Sequence, residues 1–176
     1  MLTHLRVKNI ALIDDIAMDL DEGLNILTGE TGAGKSIIMG AVNLALGARV
    51  SKDLLGDPSV PAQVDLLFDV TGTKAREHLV RMGLLEEGRA EVLLSRRIAP
   101  NGRAVNHINE EIVTAAALQK AAGVLIDVHG QHEHQSLLYK KNQLQILDAF
   151  GGKKIQELSA DVKTAYKTYR DSKKEW

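Results

Sequence analysis

The chain contains no cysteine. Disulfide scaffolds and thiolate metal sites are therefore excluded, and a cysteine-free chain fits a reducing cytosol. No uninterrupted apolar run approaches the roughly 20 residues that a membrane helix requires. The opening MLTHLRVKNI has neither the long apolar core nor the small-residue cleavage site of a signal peptide. An excess of one charge is also lacking. The 22 Lys and Arg nearly cancel the 23 Asp and Glu, leaving a net charge of -1. On average this excludes a strongly basic nucleic-acid protein and a chain dominated by an acidic tail. What is present is 44% apolar and 26% charged residues in a chain of 176. That is enough to bury a core in one ordinary domain with an appendage, and it excludes wholesale disorder. The expectation is a cytoplasmic protein that does not enter a membrane.

Alternation of apolar and polar residues predicts two strands between Leu2 and Leu20, carried by Leu5, Val7 and Ile10 and then by Ile13, Ile16, Met18 and Leu20. Leu24 to Leu27 reads as a buried strand, Ile37 to Leu46 as a helix closed by Gly47, and Val64 to Val70 as a further strand. Thr73 to Met82 is a short helix ending at Gly83. Glu91–Ile98 and Arg103–Ile108 flank Pro100-Asn101-Gly102, a hairpin signal. Ile112 to Ala122 then reads as an alanine-rich helix, Val124 to Val128 as a short apolar strand, and Lys141 to Phe150 as a helix. After Gly151-Gly152, residues Ile155, Leu158, Val162, Ala165, Tyr169, Ser172 and Trp176 are spaced alternately three and four apart, the seam of a coiled coil. The heptads are unfinished at Trp176, so the helix is expected to continue. Residues 1–151 are thus expected to form a lobe and 152–176 the start of a coiled-coil arm.

Gly29-Glu30-Thr31-Gly32-Ala33-Gly34-Lys35-Ser36 fits G-x-x-x-x-G-K-[ST] at every fixed position. The glycines let backbone N–H groups curl around phosphate oxygens. Lys35 brings a cation to the β- and γ-phosphates, the Ser36 hydroxyl ligates Mg²⁺, and the helix that starts here adds its positive dipole end. A strand before and a helix after complete the expected context. Two strands precede the motif, as in heads of the ATP-binding-cassette type, where an antiparallel layer lies over the nucleotide.

A complete ATPase also needs an acid for the metal and a group that orients water. Asp69 and Asp127 each close an apolar run, but neither is followed by a glutamate that would act as general base. Asp69 lies on an alternating strand and is expected to face solvent. No Leu-Ser-Gly-Gly signature occurs. The stretch His129-Gly130-Gln131-His132-Glu133-His134-Gln135 matches no standard zinc spacing, although three histidines and a glutamate are potential ligands. A glutamine there suits a nucleotide-sensing loop, reaching Mg²⁺ and the attacking water through its carbonyl oxygen. Arg96, Arg97 and Arg103 gather at the hairpin, and Lys153, Lys154, Lys163 and Lys167 on the last helix. They are candidates for DNA contact or simply solvated faces.

Leu5-Arg6-Val7-Lys8-Asn9-Ile10, the phosphate loop, Arg97 with Asn101-Gly102-Arg103, and Asp127 through Gln135 together resemble the RecN family of bacterial DNA repair proteins, relatives of the SMC proteins. The resemblance implies an α/β P-loop lobe of the ABC/SMC type, with an antiparallel β layer and an emerging coil. It implies a head split in sequence, whose second lobe carries the signature, the metal-binding aspartate and the catalytic glutamate. It further implies ATP and Mg²⁺ as cofactors, heads that dimerise around ATP, DNA as partner and a nucleoid-associated place in the cytoplasm. Carried over by position, Gly29, Glu30, Thr31, Gly32, Ala33, Gly34, Lys35 and Ser36 bind the nucleotide. Ser36 and Gln131 serve the metal, Lys35 and Gln131 serve catalysis, and Gln135 is the alternative glutamine. The family's arginine after the first helix has no counterpart near Leu55; Arg49 is the nearest. Two other readings stand beside this one: a self-contained P-loop kinase with Asp127 on the metal, and an interaction module working through its C-terminal helix.

Overall fold

The computed structural model describes residues 1–28, 34–50, 54–128, 143–144, 147–148 and 150–173. These fall into two compact units, Met1–Ile126 and Asp127–Trp176.

The first unit is built on one six-stranded antiparallel sheet. Its strands are β1 (Leu2–Ile10), β2 (Ile13–Asp19), β3 (Ala62–Asp69), β4 (Glu91–Ile98), β5 (Ala104–Ile108) and β6 (Glu111–Val113), in the order β2-β1-β3-β4-β5-β6. Period-two patterning sorts the two faces. Ala62, Val64, Leu66 and Phe68 of β3 are buried, and so are Val92, Leu94 and Ile98 of β4 and Leu5 and Val7 of β1. Each large side chain removed from water in this way contributes about 1.5–3 kcal/mol. Three helices accompany the sheet: α1 (Gly34–Ala45), α2 (Lys74–Arg81) and α3 (Ala115–Leu125). Thr73 caps α2 by accepting from the Arg76 N–H at 3.3 Å, and Thr114 caps α3 by accepting from the Ala117 N–H at 3.2 Å.

The β1–β2 turn is fastened to the loop after α1. Asn9 and Ala11 adopt positive φ, 51° and 49°. The Asn9 amide donates to the Asp57 and Val60 carbonyls at 2.9 and 2.7 Å, and its oxygen accepts from the Asp57 N–H at 2.7 Å. A Cβ on Gly56 would fall 2.4 Å from that oxygen, so glycine is required there.

Three expectations are corrected. Leu24 to Leu27 forms no strand; Leu24, Ile26 and Leu27 are 85%, 72% and 47% exposed. A strand needs a neighbour for its N–H and C=O groups, and the segment pairs with none of the six strands of the described sheet. Val124 and Leu125 belong to the end of α3 rather than to a strand, since a short apolar run fits either state. Ile112 and Val113 belong to β6, and the helix starts only after Thr114. Most of the helix expected over 141–150 lies outside the described residues.

In the second unit, α4 (Gly152–Ser172) runs for 21 residues. Its seam is open to solvent: Ile155, Leu158, Val162 and Tyr169 are all exposed.

Candidate nucleotide-binding site

The site is built on α1. Gly34, Lys35 and Ser36 form its first turn, and all three are exposed. No acidic residue lies in that turn to compete for the unsatisfied N–H groups and the positive dipole end. Among the described residues, a Cβ on Gly34 would meet nothing within 4 Å, whereas a phosphate seated against the backbone would call for glycine there. An ammonium, a hydroxyl and the backbone N–H groups of a helix N-terminus suit a phosphate group with its divalent cation.

The rest of the helix explains how that end is presented. Ile37 and Ile38 pack partly buried against the core, and full burial follows in the second half, at Ala41, Val42, Leu44 and Ala45. The C-terminal turn closes in a Schellman arrangement, with the Gly47 N–H donating to the Leu44 carbonyl at 3.1 Å and the Ala48 N–H to Asn43 at 3.0 Å. Gly47 has φ +98°.

Arg96 meets this turn from β4. It is only 6% exposed, and its Nη1 donates to the Leu44 carbonyl at 2.8 Å and to the Ala48 carbonyl at 2.5 Å. Burial pulls its pKa below the ordinary guanidinium value, yet an arginine stays charged near neutrality. A cation at the negative end of a helix dipole is favourable, and more so when water is excluded. Gln119 of α3 meets the same turn, its Nε2 donating to the Gly47 carbonyl at 2.9 Å.

This separates the arginines of the hairpin. Arg97 and Arg103 are exposed, but Arg96 serves the core and contributes nothing to a basic surface. The alternation Val92-Leu94-Arg96-Ile98 already marks Arg96 as inward-facing, and that signal was available in the sequence.

The candidate acids are also resolved. Asp69 is exposed at the end of β3 and accepts from the Thr71 N–H at 2.8 Å, a turn contact that agrees with its expected solvent-facing place. Asp127 is exposed and follows a helix, so it lacks the strand-end setting of a metal-binding aspartate. Gly29 to Ala33, Gln131, Gln135 and the histidines at 129, 132 and 134 lie outside the described residues. The site thus brings Lys35 and Ser36 together with Gly34. Among the described residues no cluster of three or more His, Asp or Glu side chains is arranged to hold a metal.

A family model for the AAA domain matches residues 4–176. This chain belongs to that AAA-domain family. It is 35% identical over 169 residues to DNA repair protein RecN of Halalkalibacterium halodurans, covering 96% of this chain and 30% of that protein. It is 37% identical over 175 residues to DNA repair protein RecN of Bacillus subtilis, covering 97% and 28%. The resemblance read from the motifs is thereby borne out, and this AAA-domain chain spans about three-tenths of the length of those relatives. A solved structure from work on ATP-driven dimerization and DNA-stimulated activation of SMC ATPases superposes with a TM-score of 0.55. It is 20% identical and covers 70% of this chain and 78% of that one. The shared fold is the α/β P-loop lobe of SMC heads, as expected.

Proposed function

We propose that this chain is the ATP-binding head lobe of an SMC-like ATPase that acts in recombinational repair of DNA double-strand breaks. The observation that carries the reading is the first turn of α1, where Lys35 and Ser36 stand exposed beside a Gly34 whose Cβ position is open among the described residues. Gly29 to Ser36 cradle the nucleotide. The Lys35 ammonium draws the β- and γ-phosphates onto the helix end, and the Ser36 hydroxyl, with Gln131 from the following segment, holds the cation. Bound Mg²⁺ neutralises charge on the phosphate oxygens. Gln131 orients the attacking water.

The active site is completed by a second lobe outside this chain. Support comes from two sides. The sequence has no Leu-Ser-Gly-Gly and no Asp-Glu pair closing an apolar strand. Leu24, Ile26 and Leu27, directly before the phosphate loop, leave apolar side chains in water that a neighbouring strand would cover. The lobe spans 1–151, and α4 from Gly152 is the start of a coiled-coil arm, consistent with its exposed apolar seam. Two heads of the whole protein pair around ATP, as the SMC ATPases of the structural match do. DNA is the partner of the whole protein, in keeping with the repair role carried in the relatives' name, and its place is the nucleoid in the cytoplasm.

The test is calorimetric titration of the full-length protein with MgATP. Lys35→Ala should abolish binding and leave the thermal transition in place, because it removes a charge from an exposed turn and no core contact. Equal affinity in wild type and variant would sink the assignment.

A further inference from the structure

The geometry assigns to Arg96, supported by Gln119, the role of a positioning anchor for the nucleotide: by gripping the C-terminal turn of α1 it sets where Lys35 and Ser36 stand. This rests on the reading of α1 as the phosphate-binding helix and adds to it a pair of residues far from the phosphate motif in sequence.

Three observations support the assignment. First, the phosphate end of α1 is the less firmly held one: Ile37 and Ile38 pack partly buried against the core, and full burial is confined to the last turns. Gly34, Lys35 and Ser36 are exposed, and every buried residue of the helix lies between Ala41 and Ala45. A helix of 12 residues moves as a rod, at about 1.5 Å of length per residue. Its first turn therefore goes where its last turn is fixed.

Second, that last turn is fixed from two separate elements. Arg96 reaches from β4 to the Leu44 and Ala48 carbonyls at 2.8 and 2.5 Å, and Gln119 reaches from α3 to the Gly47 carbonyl at 2.9 Å. Three carbonyls within five residues thus accept from side chains remote in sequence. Contacts made by a planar guanidinium and a side-chain amide specify direction as well as distance, which apolar packing does less sharply.

Third, a charged side chain is an expensive way to fill this part of the core. Arg96 is 6% exposed, and its Nε has no hydrogen-bond partner among the described residues. A buried arginine with one nitrogen unmatched is less favourable than a well-packed apolar residue for stability alone. Its retention here fits a role in placement. Productive phosphate binding tolerates little displacement of the groups that line it, so a small shift or tilt of α1 weakens the nucleotide site without unfolding the lobe.

The experiment compares Arg96→Met, Arg96→Lys, Gln119→Ala and Leu79→Ala in the full-length protein. Each is titrated with AMP-PNP and Mg²⁺, and each melting temperature is recorded. Leu79 is fully buried on α2, makes none of the hydrogen bonds to the α1 turn, and serves as a stability control. Arg96→Met is expected to raise Kd about tenfold. Arg96→Lys, which keeps the charge and a donor, should return Kd to within about threefold of wild type, and Leu79→Ala should leave Kd unchanged despite a lower melting temperature. Gln119, on an exposed stretch of α3, should raise Kd two- to threefold on conversion to alanine. The inference is overturned if folded Arg96→Met binds within twofold of wild type. It is equally overturned if Leu79→Ala weakens binding as much at a matched loss of stability. If Arg96→Met does not fold, Gln119→Ala decides, and wild-type affinity in that variant overturns the inference. A wild-type protein that fails to bind AMP-PNP would instead overturn the function proposed above.

Discussion

Arg96 on β4 is the direct cross-strand partner of Asn106 on β5, and both are buried. The Nε of the first and the Oδ1 of the second are a donor and an acceptor, each without a hydrogen-bond partner among the described residues. The pair is a polar island in an otherwise apolar sheet face. Its two members are not equivalent, because Arg96 makes two hydrogen bonds to α1 and Asn106 makes none among the described residues. An unsatisfied buried acceptor costs about 1–3 kcal/mol. Asn106→Leu, close to it in shape, should therefore leave stability unchanged or raise it by about 1 kcal/mol. Arg96→Ala should lower it by about 3 kcal/mol or more, through lost packing and the exposed carbonyl ends of α1. Urea unfolding followed by circular dichroism measures both, and a large loss in Asn106→Leu would mean that Oδ1 is satisfied after all.

The contrast bears on what could be read in advance. The hairpin of β4 and β5 was legible because Pro100-Asn101-Gly102 sits between two alternating runs, and Gly102 does take the positive φ, +81°, that such a turn requires. The strands β3 and β4 were legible because each keeps period two over eight residues, and β1 because Leu5 and Val7 alternate with exposed Arg6 and Lys8. Leu24 to Leu27 was misread because apolar content marks a segment that wants covering, not one that has found a neighbour. β6 was missed because three residues are too few to display a period. Of the site, Lys35 and Ser36 were legible from the motif. Arg96 was not, since a pair of adjacent arginines reads as a charged surface until strand phase is applied to each one separately.

Gly47 should tolerate no side chain. Its φ of +98° is unfavourable for any L-residue, and a Cβ there would sit 2.7 Å from Cγ of Gln119. Part of that crowding is relieved by moving the flexible glutamine, at the expense of its bond to the Gly47 carbonyl. Gly47→Ala is expected to destabilise the protein by about 1–3 kcal/mol, from backbone strain with the loss of one hydrogen bond. Differential scanning calorimetry should register a fall in melting temperature. Gly34→Ala, with open space for its Cβ, should melt like wild type while losing affinity for MgATP. Identical melting of the two variants would contradict this contrast.

Two exposed aspartates make stability fall in acid. The Ser59 hydroxyl and backbone N–H hold Asp57 below its ordinary 3.8, and the Thr71 hydroxyl and backbone N–H do the same for Asp69. A carboxylate with a depressed folded pKa adds stability that is fully present above the unfolded value. That stability is lost as pH falls through the folded value. The double variant Asp57→Asn/Asp69→Asn should therefore be less stable than wild type at neutral pH. The gap should narrow below 3.8 and close once pH has fallen through the lowered folded values. Parallel melting curves across pH 2 to 7 check the sign, and a gap that widens in acid would reverse it.

The isolated 176-residue chain should hydrolyse ATP negligibly and gain activity when the remaining lobe of the protein is supplied. Phosphoryl transfer depends on positioning and on charge stabilisation from several directions at once. This chain offers one direction, the α1 turn with Lys35 and Ser36. It has no signature loop to press on the γ-phosphate from a second head, and its one Asp-Glu pair, Asp21-Glu22, lies exposed after the mostly exposed strand β2 rather than at the end of a buried apolar strand. Leu24, Ile26 and Leu27 stay in water before the phosphate loop, and a strand of the second lobe would cover them as it completes the chemistry. Turnover and protection of residues 24–28 should therefore appear together. The measurement is steady-state phosphate release by the purified chain, with and without the added lobe and with Lys35→Ala as the contamination control. Hydrogen exchange over residues 24–28 is followed in the same samples. Lys35-dependent turnover by the chain alone, on the order of 1 per second or faster, would refute the split site and favour a self-contained kinase.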